Sequence, residues 1–251
     1  MKRRVIAMGL LAIALFGMNV RLTNAREKNE EIYYTTPKGI ELTEREYKFL
    51  TTFYWDKYVD LMTKEQYQDF VNSDLLDREL ITKSSDDSNM YSPKSTSHTT
   101  QYKNLKISAA CSNYCTVSIV LTWLGNPTIR SYDVIGAIIS GPSLLSYSYA
   151  SVSNNTNTYY YNNFKTEYST YHDALGNSVL LPSGTNLVIN QIFTTTTGGH
   201  IFGSYQHAMQ NVSLATSKNY NFSLGGYGSV FSFYGNAVGK YDGMAGVDIA
   251  V

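Results

Sequence analysis

The sequence predicts a mainly β fold: an antiparallel β-sandwich or jelly-roll-like domain, preceded by a short helical hairpin and a signal peptide. Three observations carry this reading. Leu105 to Trp123 alternates with period two on both sides of a short turn. Short apolar runs separated by Gly, Asn and Ser turns continue from there to the C-terminus. A sharp change of composition separates this half from a charged, helix-patterned segment before it.

The chain opens with Met1-Lys2-Arg3-Arg4, followed by the uncharged run Val5 to Met18. A basic start and a short apolar run ending near Thr23-Asn24-Ala25 have the layout of a secretory signal cut after Ala25. The run is shorter than the ~20 residues of a membrane span, so a retained anchor is the lesser alternative. The mature chain is expected to be secreted, with no stable membrane span. No cysteine lies near the cut, which excludes a lipoprotein anchor. Leu181-Pro182-Ser183-Gly184-Thr185 has Gly and Thr in the wrong order for a sorting signal and reads as a turn.

The net charge of zero hides an asymmetry. Residues 26–90 carry nine basic and fifteen acidic residues, whereas 91–251 carry seven and five, with 16 of the 22 tyrosines. The expected layout is a signal peptide over 1–25, a charged amphipathic helical segment over 26–83, a linker over 84–97 and a β-sandwich domain over 98–251. Neither half is basic enough for nucleic acid.

Within the helical segment, Thr43 and Glu46 form a capping box: a hydroxyl N-cap with a carboxylate three residues on. Tyr47, Leu50, Tyr54, Tyr58 and Leu61 follow as one helical stripe. Met62-Thr63-Lys64-Glu65-Gln66-Tyr67 repeats the device, and Tyr67, Phe70, Val71 and Leu75 make the second stripe. The helices are expected to pack on the sandwich or on each other. The sharper alternative is a partner surface built on Tyr47, Tyr54 and Tyr67.

In the central hairpin, folding at Asn113 sets Cys111 opposite Cys115, Ala109 opposite Val117, Ile107 opposite Ile119 and Leu105 opposite Leu121. All these apolar residues then share one face, and a slip of one residue would scatter them. The two cysteines are the only ones in the chain. In an exported protein they predict a cross-strand disulfide.

Further strands are expected over 129–139, with Gly136 a possible bulge, and over 143–153 and 158–168, joined by a turn at Asn154-Asn155-Thr156-Asn157. A turn at Leu175-Gly176-Asn177-Ser178 leads to Val179–Leu181. More strands are expected over 186–195, 201–214, 220–224 and 230–234, and a closing one over 246–251.

Chemistry is scarce. The β-rich part holds five carboxylates, Asp133, Glu167, Asp173, Asp242 and Asp248, and four histidines, His98, His172, His200 and His207. No G-x-S-x-G, H-E-x-x-H, calcium loop or phosphate loop is present. Asp242 reads as a turn residue and His207 as a satisfied core or edge histidine. Neighbouring His172 and Asp173 point apart on an extended segment. No catalytic residue, metal ligand or cofactor is assigned.

The tyrosine excess points to binding. Tyr147, Tyr149, Tyr159, Tyr160 and Tyr161, among Asn, Ser and Thr, are the candidate ligand-binding residues. Such surfaces stack on and hydrogen-bond to flat polar ligands, although tyrosine is also an ordinary strand former. The leading reading is a non-catalytic binding protein that contacts a cell-surface glycan or protein. The alternatives are a pore-forming protein using a 143–171 hairpin, and an enzyme without a recognisable motif.

Overall fold

The computed structural model describes residues 31–53, 59–60, 62, 64–71, 79–84, 102–224, 228–243 and 246–251. The expected signal peptide over 1–25, the expected linker beyond Ser84, and Tyr54 lie outside the described residues. The chain divides into two compact units, Met1–Arg78 and Glu79–Val251.

In the first unit, β1 (Tyr34–Thr35) pairs antiparallel with β2 (Glu41–Leu42). The turn between them is closed by the Thr36 hydroxyl, which accepts the Ile40 N–H at 3.1 Å. Helix α1 (Glu44–Phe53) follows, then α2 (Lys64–Val71). The expected capping box is present. The Thr43 N–H donates to Glu46 Oε2 at 2.7 Å, and the Glu46 N–H donates to the Thr43 hydroxyl at 3.2 Å. Two N-terminal amides that no helical carbonyl could reach are thereby satisfied. Phe49 and Leu50 are buried.

The second unit is built of antiparallel sheets. One has six strands in the order β3 (Glu79–Ser84), β4 (Lys103–Cys111), β5 (Cys115–Trp123), β11 (Val188–Thr195), β7 (Leu144–Ser153) and β8 (Thr158–Tyr161). The other has five, in the order β15 (Val247–Ala250), β12 (His200–Gln206), β6 (Tyr132–Ser140), β10 (Asp173–Leu180) and β9 (Phe164–Tyr168). Leu105, Ile107, Val117 and Ile119 of the first sheet and Ile135, Leu175, Ile201 and Ile249 of the second belong to one buried cluster. The two sheets therefore face each other in a sandwich-like arrangement. Each such side chain contributes roughly 1.5–3 kcal/mol by leaving water.

The hairpin register matches the expectation residue for residue, from Leu105↔Leu121 to Cys111↔Cys115. Cys111 and Cys115 are disulfide-bonded, with Cα atoms 4.1 Å apart.

A third layer lies on the outer face of the five-stranded sheet. Between β12 and β15 the chain forms α3 (Leu214–Ser217), the hairpin β13 (Tyr220–Phe222)–β14 (Phe231–Phe233) and a short 3-10 turn at Gly235–Ala237. Tyr220, Phe222, Phe231 and Tyr241 there join Val134, Ile138 and Ala174 in a second buried cluster.

Several expectations are corrected. Glu79–Ser84, expected as the end of the helical segment and the first residue of the linker, is a strand paired with β4. Leu175 to Ser178, expected as a turn, runs through the middle of β10. Its Gly and Asn serve packing: Asn177 is fully buried and donates its amide to the Tyr161 carbonyl at 2.8 Å. Gly136 is no bulge. It faces Gly176 in an unbroken ladder, and a Cβ on it would approach the Leu175 carbonyl oxygen to 2.1 Å. The residues expected as one strand over 158–168 are two. β8 pairs with β7 in one sheet and β9 with β10 in the other, the chain changing sheets at Asn162-Asn163. The 143–171 stretch is thus not a single hairpin: β7 and β8 pair with each other, and β9 lies in the other sheet.

Candidate functional site

The tyrosine-rich residues lie where β8 and β9, the edge strands of the two sheets, run one into the other. Ladder pairing sets Tyr161 opposite Ala150, Tyr160 opposite Ser151 and Tyr159 opposite Val152. Directly opposed residues share a face. Ala150 and Val152 are core residues, so Tyr159 and Tyr161 lie on the inner face and Tyr160 on the outer.

Alternation along β7 would put Tyr147 on the same face as Tyr149. The register shifts between Gln191 and Phe193, so that Gln191 pairs with Ala150 and Phe193 with Tyr147. One extra residue in β7 reverses the parity beyond it, as a bulge does. Tyr147 consequently joins the inner side. Its ring meets that of Phe164 edge-on, with centroids 4.7 Å apart. Its hydroxyl interacts with that of Tyr168 on β9, whose pKa is raised by burial first and by Tyr147 second. Tyr149 stays on the outer face and packs edge-to-face against Tyr160 at 4.7 Å.

The five candidate tyrosines therefore wrap around one sheet edge rather than lining one flat surface. Tyr147, Tyr159 and Tyr160 are 39%, 38% and 45% exposed. Tyr161 is half-buried, and its hydroxyl donates to the Leu180 carbonyl at 2.9 Å. Burial, followed by the neighbouring Tyr132 and Tyr159, pushes its pKa up to about 12. Tyr168 and Tyr171, beyond the candidate set, extend the exposed aromatic strip. Asn163 fixes the crossover by donating its side-chain amide to the Ser178 carbonyl at 3.0 Å.

Of the helical candidates, Tyr67 donates its hydroxyl to Glu46 Oε1 at 2.7 Å, and the Tyr47 ring lies against Tyr33 and Tyr34, at 5.5 and 4.8 Å. Both are half-buried within the first unit.

A second constellation occupies the interior, at one end of the sandwich. Asp133 is fully buried. It accepts hydrogen bonds from the Tyr205 hydroxyl, from His207 Nδ1 at 3.0 Å and from the Ala208 N–H at 2.8 Å. Burial raises its pKa although all three partners oppose the rise. The Tyr205 hydroxyl also accepts the Trp123 indole N–H at 3.2 Å, and burial followed by the Asp133 charge holds that phenol well above its ordinary range. Beside them, buried Lys103 contacts Asp242 Oδ2. The His207 N–H holds Asp242 Oδ1 at 2.8 Å.

This network is what the sequence reading missed, although strand parity signals it. Lys103 shares the inward parity of Leu105 and Ile107, Trp123 that of Leu121, Asp133 that of Ile135 and Ala137, and Tyr205 that of Ile201. Among the described residues, no hydroxyl nucleophile hydrogen-bonds the His207 ring. His172 Nε2 lies 3.2 Å from Glu167 while Asp173 accepts the Leu144 N–H at 2.7 Å, so these neighbours do point apart. Among the described residues no group of three or more His, Cys, Asp and Glu could hold a metal, and no helix is long and apolar enough to cross a membrane.

The chain matches no family model, and no curated protein matches it significantly. Two solved structures are similar over part of the chain. One is the pilus backbone RrgB from Streptococcus pneumoniae, at 7% identity and a TM-score of 0.25, covering 38% of this chain and 25% of that one. The other is ACE19, the collagen-binding subdomain of the Enterococcus faecalis surface protein ACE, at 18% identity and a TM-score of 0.25, covering 38% of this chain and 75% of that one. At that score the similarities are partial and imply nothing about activity.

Proposed function

We propose that the protein is a secreted, non-catalytic binding protein whose β-sandwich engages a cell-surface glycan through the aromatic edge around β8. One observation carries this reading: an edge strand presents Tyr159 and Tyr160 to opposite faces, each more than a third exposed, with Tyr147 and Tyr149 beside them. Exposed phenol rings offer flat apolar faces for sugar rings and hydroxyls for their polar rims. Tyr161 and Asn163 are tied to the backbone of β10. The edge is therefore preformed, which lowers the entropic cost of binding.

The test is a glycan panel probed with residues 26–251. Saturable binding that Tyr159→Ala and Tyr160→Ala each weaken, with the fold unchanged, supports the reading. Binding unaffected by both variants contradicts the site. Failure to bind any glycan contradicts the ligand class and directs the search to a protein partner.

A further inference from the structure

The Lys103–Asp242 pair is buried far more deeply than binding at the β8 edge requires. The Lys103 side chain is 3% exposed and that of Asp242 16%. The Lys103 ammonium nitrogen lies 5.2 Å from the Trp123 ring centroid and 5.6 Å from that of Tyr205, so aromatic walls surround it. The carboxyl is held at both oxygens, Oδ1 by the His207 N–H and Oδ2 by the lysine itself. The Asp242 N–H in turn donates to the His207 carbonyl at 2.9 Å, which fixes the loop. The next group inward is Asp133, bonded to the Tyr205 hydroxyl and to the His207 ring.

An ion pair in such a place bears the desolvation cost of two charges. A neutral amide at the same position would bear neither charge. The amine and the carboxyl are already in contact, with the carboxyl held from its other oxygen by the His207 N–H, the arrangement in which an intramolecular reaction gains most from proximity.

We propose that Lys103 and Asp242 condense into an intramolecular amide that staples β4 to the loop before β15. Proton transfer within the pair yields a neutral amine and a neutral carboxylic acid. The Nζ lone pair attacks Asp242 Cγ, forming the C–N bond. Oδ1 carries the developing negative charge towards the His207 N–H, as in an oxyanion hole. The Cγ–Oδ2 bond then breaks, and Oδ2 leaves as water with one proton from Nζ and the carboxyl proton. Asp133, connected to the aromatic box through Tyr205, accepts and returns the proton in transit. No oxidant or external reagent is required. The staple joins positions 139 residues apart, spanning most of the second unit.

The experiment is peptide mapping by mass spectrometry of the folded, purified full chain after disulfide reduction. The expected result is a branched peptide joining the Lys103 and Asp242 segments, lighter by one water than its two parts. Lys103→Met and Asp242→Ala should each abolish it. Asp133→Asn, checked for fold by circular dichroism, should leave the two segments unjoined. Linear, unmodified peptides covering Lys103 and Asp242 in the folded wild-type protein would overturn the proposal, whatever the variants do. A branched peptide in Asp133→Asn would overturn the role assigned to Asp133.

Discussion

Tyr161 at the end of β8 donates its hydroxyl to the carbonyl of Leu180 at the end of β10, at 2.9 Å. One phenol thus ties the edge strand of the six-stranded sheet to a strand of the facing sheet, beside the point where the chain crosses between them.

Burial of the same phenol, followed by its neighbours Tyr132 and Tyr159, makes stability sensitive to alkali. An ordinary tyrosine ionises near 10.0, whereas Tyr161 in the folded protein holds its proton to about 12. Between those values the unfolded chain has released a proton that the folded chain keeps. Stability from this group is full below the lower value and is lost as pH rises through the upper one. Denaturant unfolding followed across this range should show a falling midpoint, and Tyr161→Phe should flatten the fall. An equal slope in the variant would contradict the assignment.

Gly176→Ala should destabilise the second unit. A Cβ there would come within 2.3 Å of the Tyr220 hydroxyl and 3.0 Å of the Phe231 ring. Overpacking of this kind costs about 1–3 kcal/mol. Thermal unfolding measures it, and a neutral result would mean that β13 and β14 move aside freely.

How much of this was legible in the sequence depended on whether neighbours along the chain decide the outcome. The Leu105–Trp123 hairpin and the Thr43/Glu46 capping box were legible because both are local: their partners lie a few residues apart. Gly176 and Asn177 misled because a glycine beneath a tyrosine and a buried amide look, in sequence, like a turn. Tyr147 misled because one extra residue in β7, invisible without the pairing of β11, turns it to the other face. Lys103 and Asp242 are 139 residues apart. Parity places the lysine inward, but only the topology brings its partner to it.

In the first unit, Glu46 serves two bonds with its two carboxylate oxygens, one to the Thr43 N–H and one from the Tyr67 hydroxyl. Thr43→Ala should cost about 1 kcal/mol of helix stability by uncapping α1. Tyr67→Phe should cost a similar amount, about 1 kcal/mol, by removing one hydrogen bond. Hydrogen exchange of the α1 amides should quicken in both. Unchanged protection in Thr43→Ala would show that the box contributes nothing.

Replacing both Cys111 and Cys115 by serine should lower stability by about 2 kcal/mol, the loop-entropy value for so short a closure. The fold should survive, because the ladder from Lys103↔Trp123 to Ala110↔Thr116 sets the register. Loss of cooperative unfolding in the double variant would show that the bridge does more than fasten a turn.

The proposed role of the β8 edge is tested most directly by titrating a glycan found in the panel against wild-type protein, Tyr160→Ala and Tyr161→Phe. Removing one stacking ring should weaken binding about tenfold. Tyr161→Phe keeps its ring and should bind as wild type near neutral pH. Equal affinity in Tyr160→Ala and wild type, or a larger loss in Tyr161→Phe than in Tyr160→Ala, would contradict a ligand held by the exposed rings.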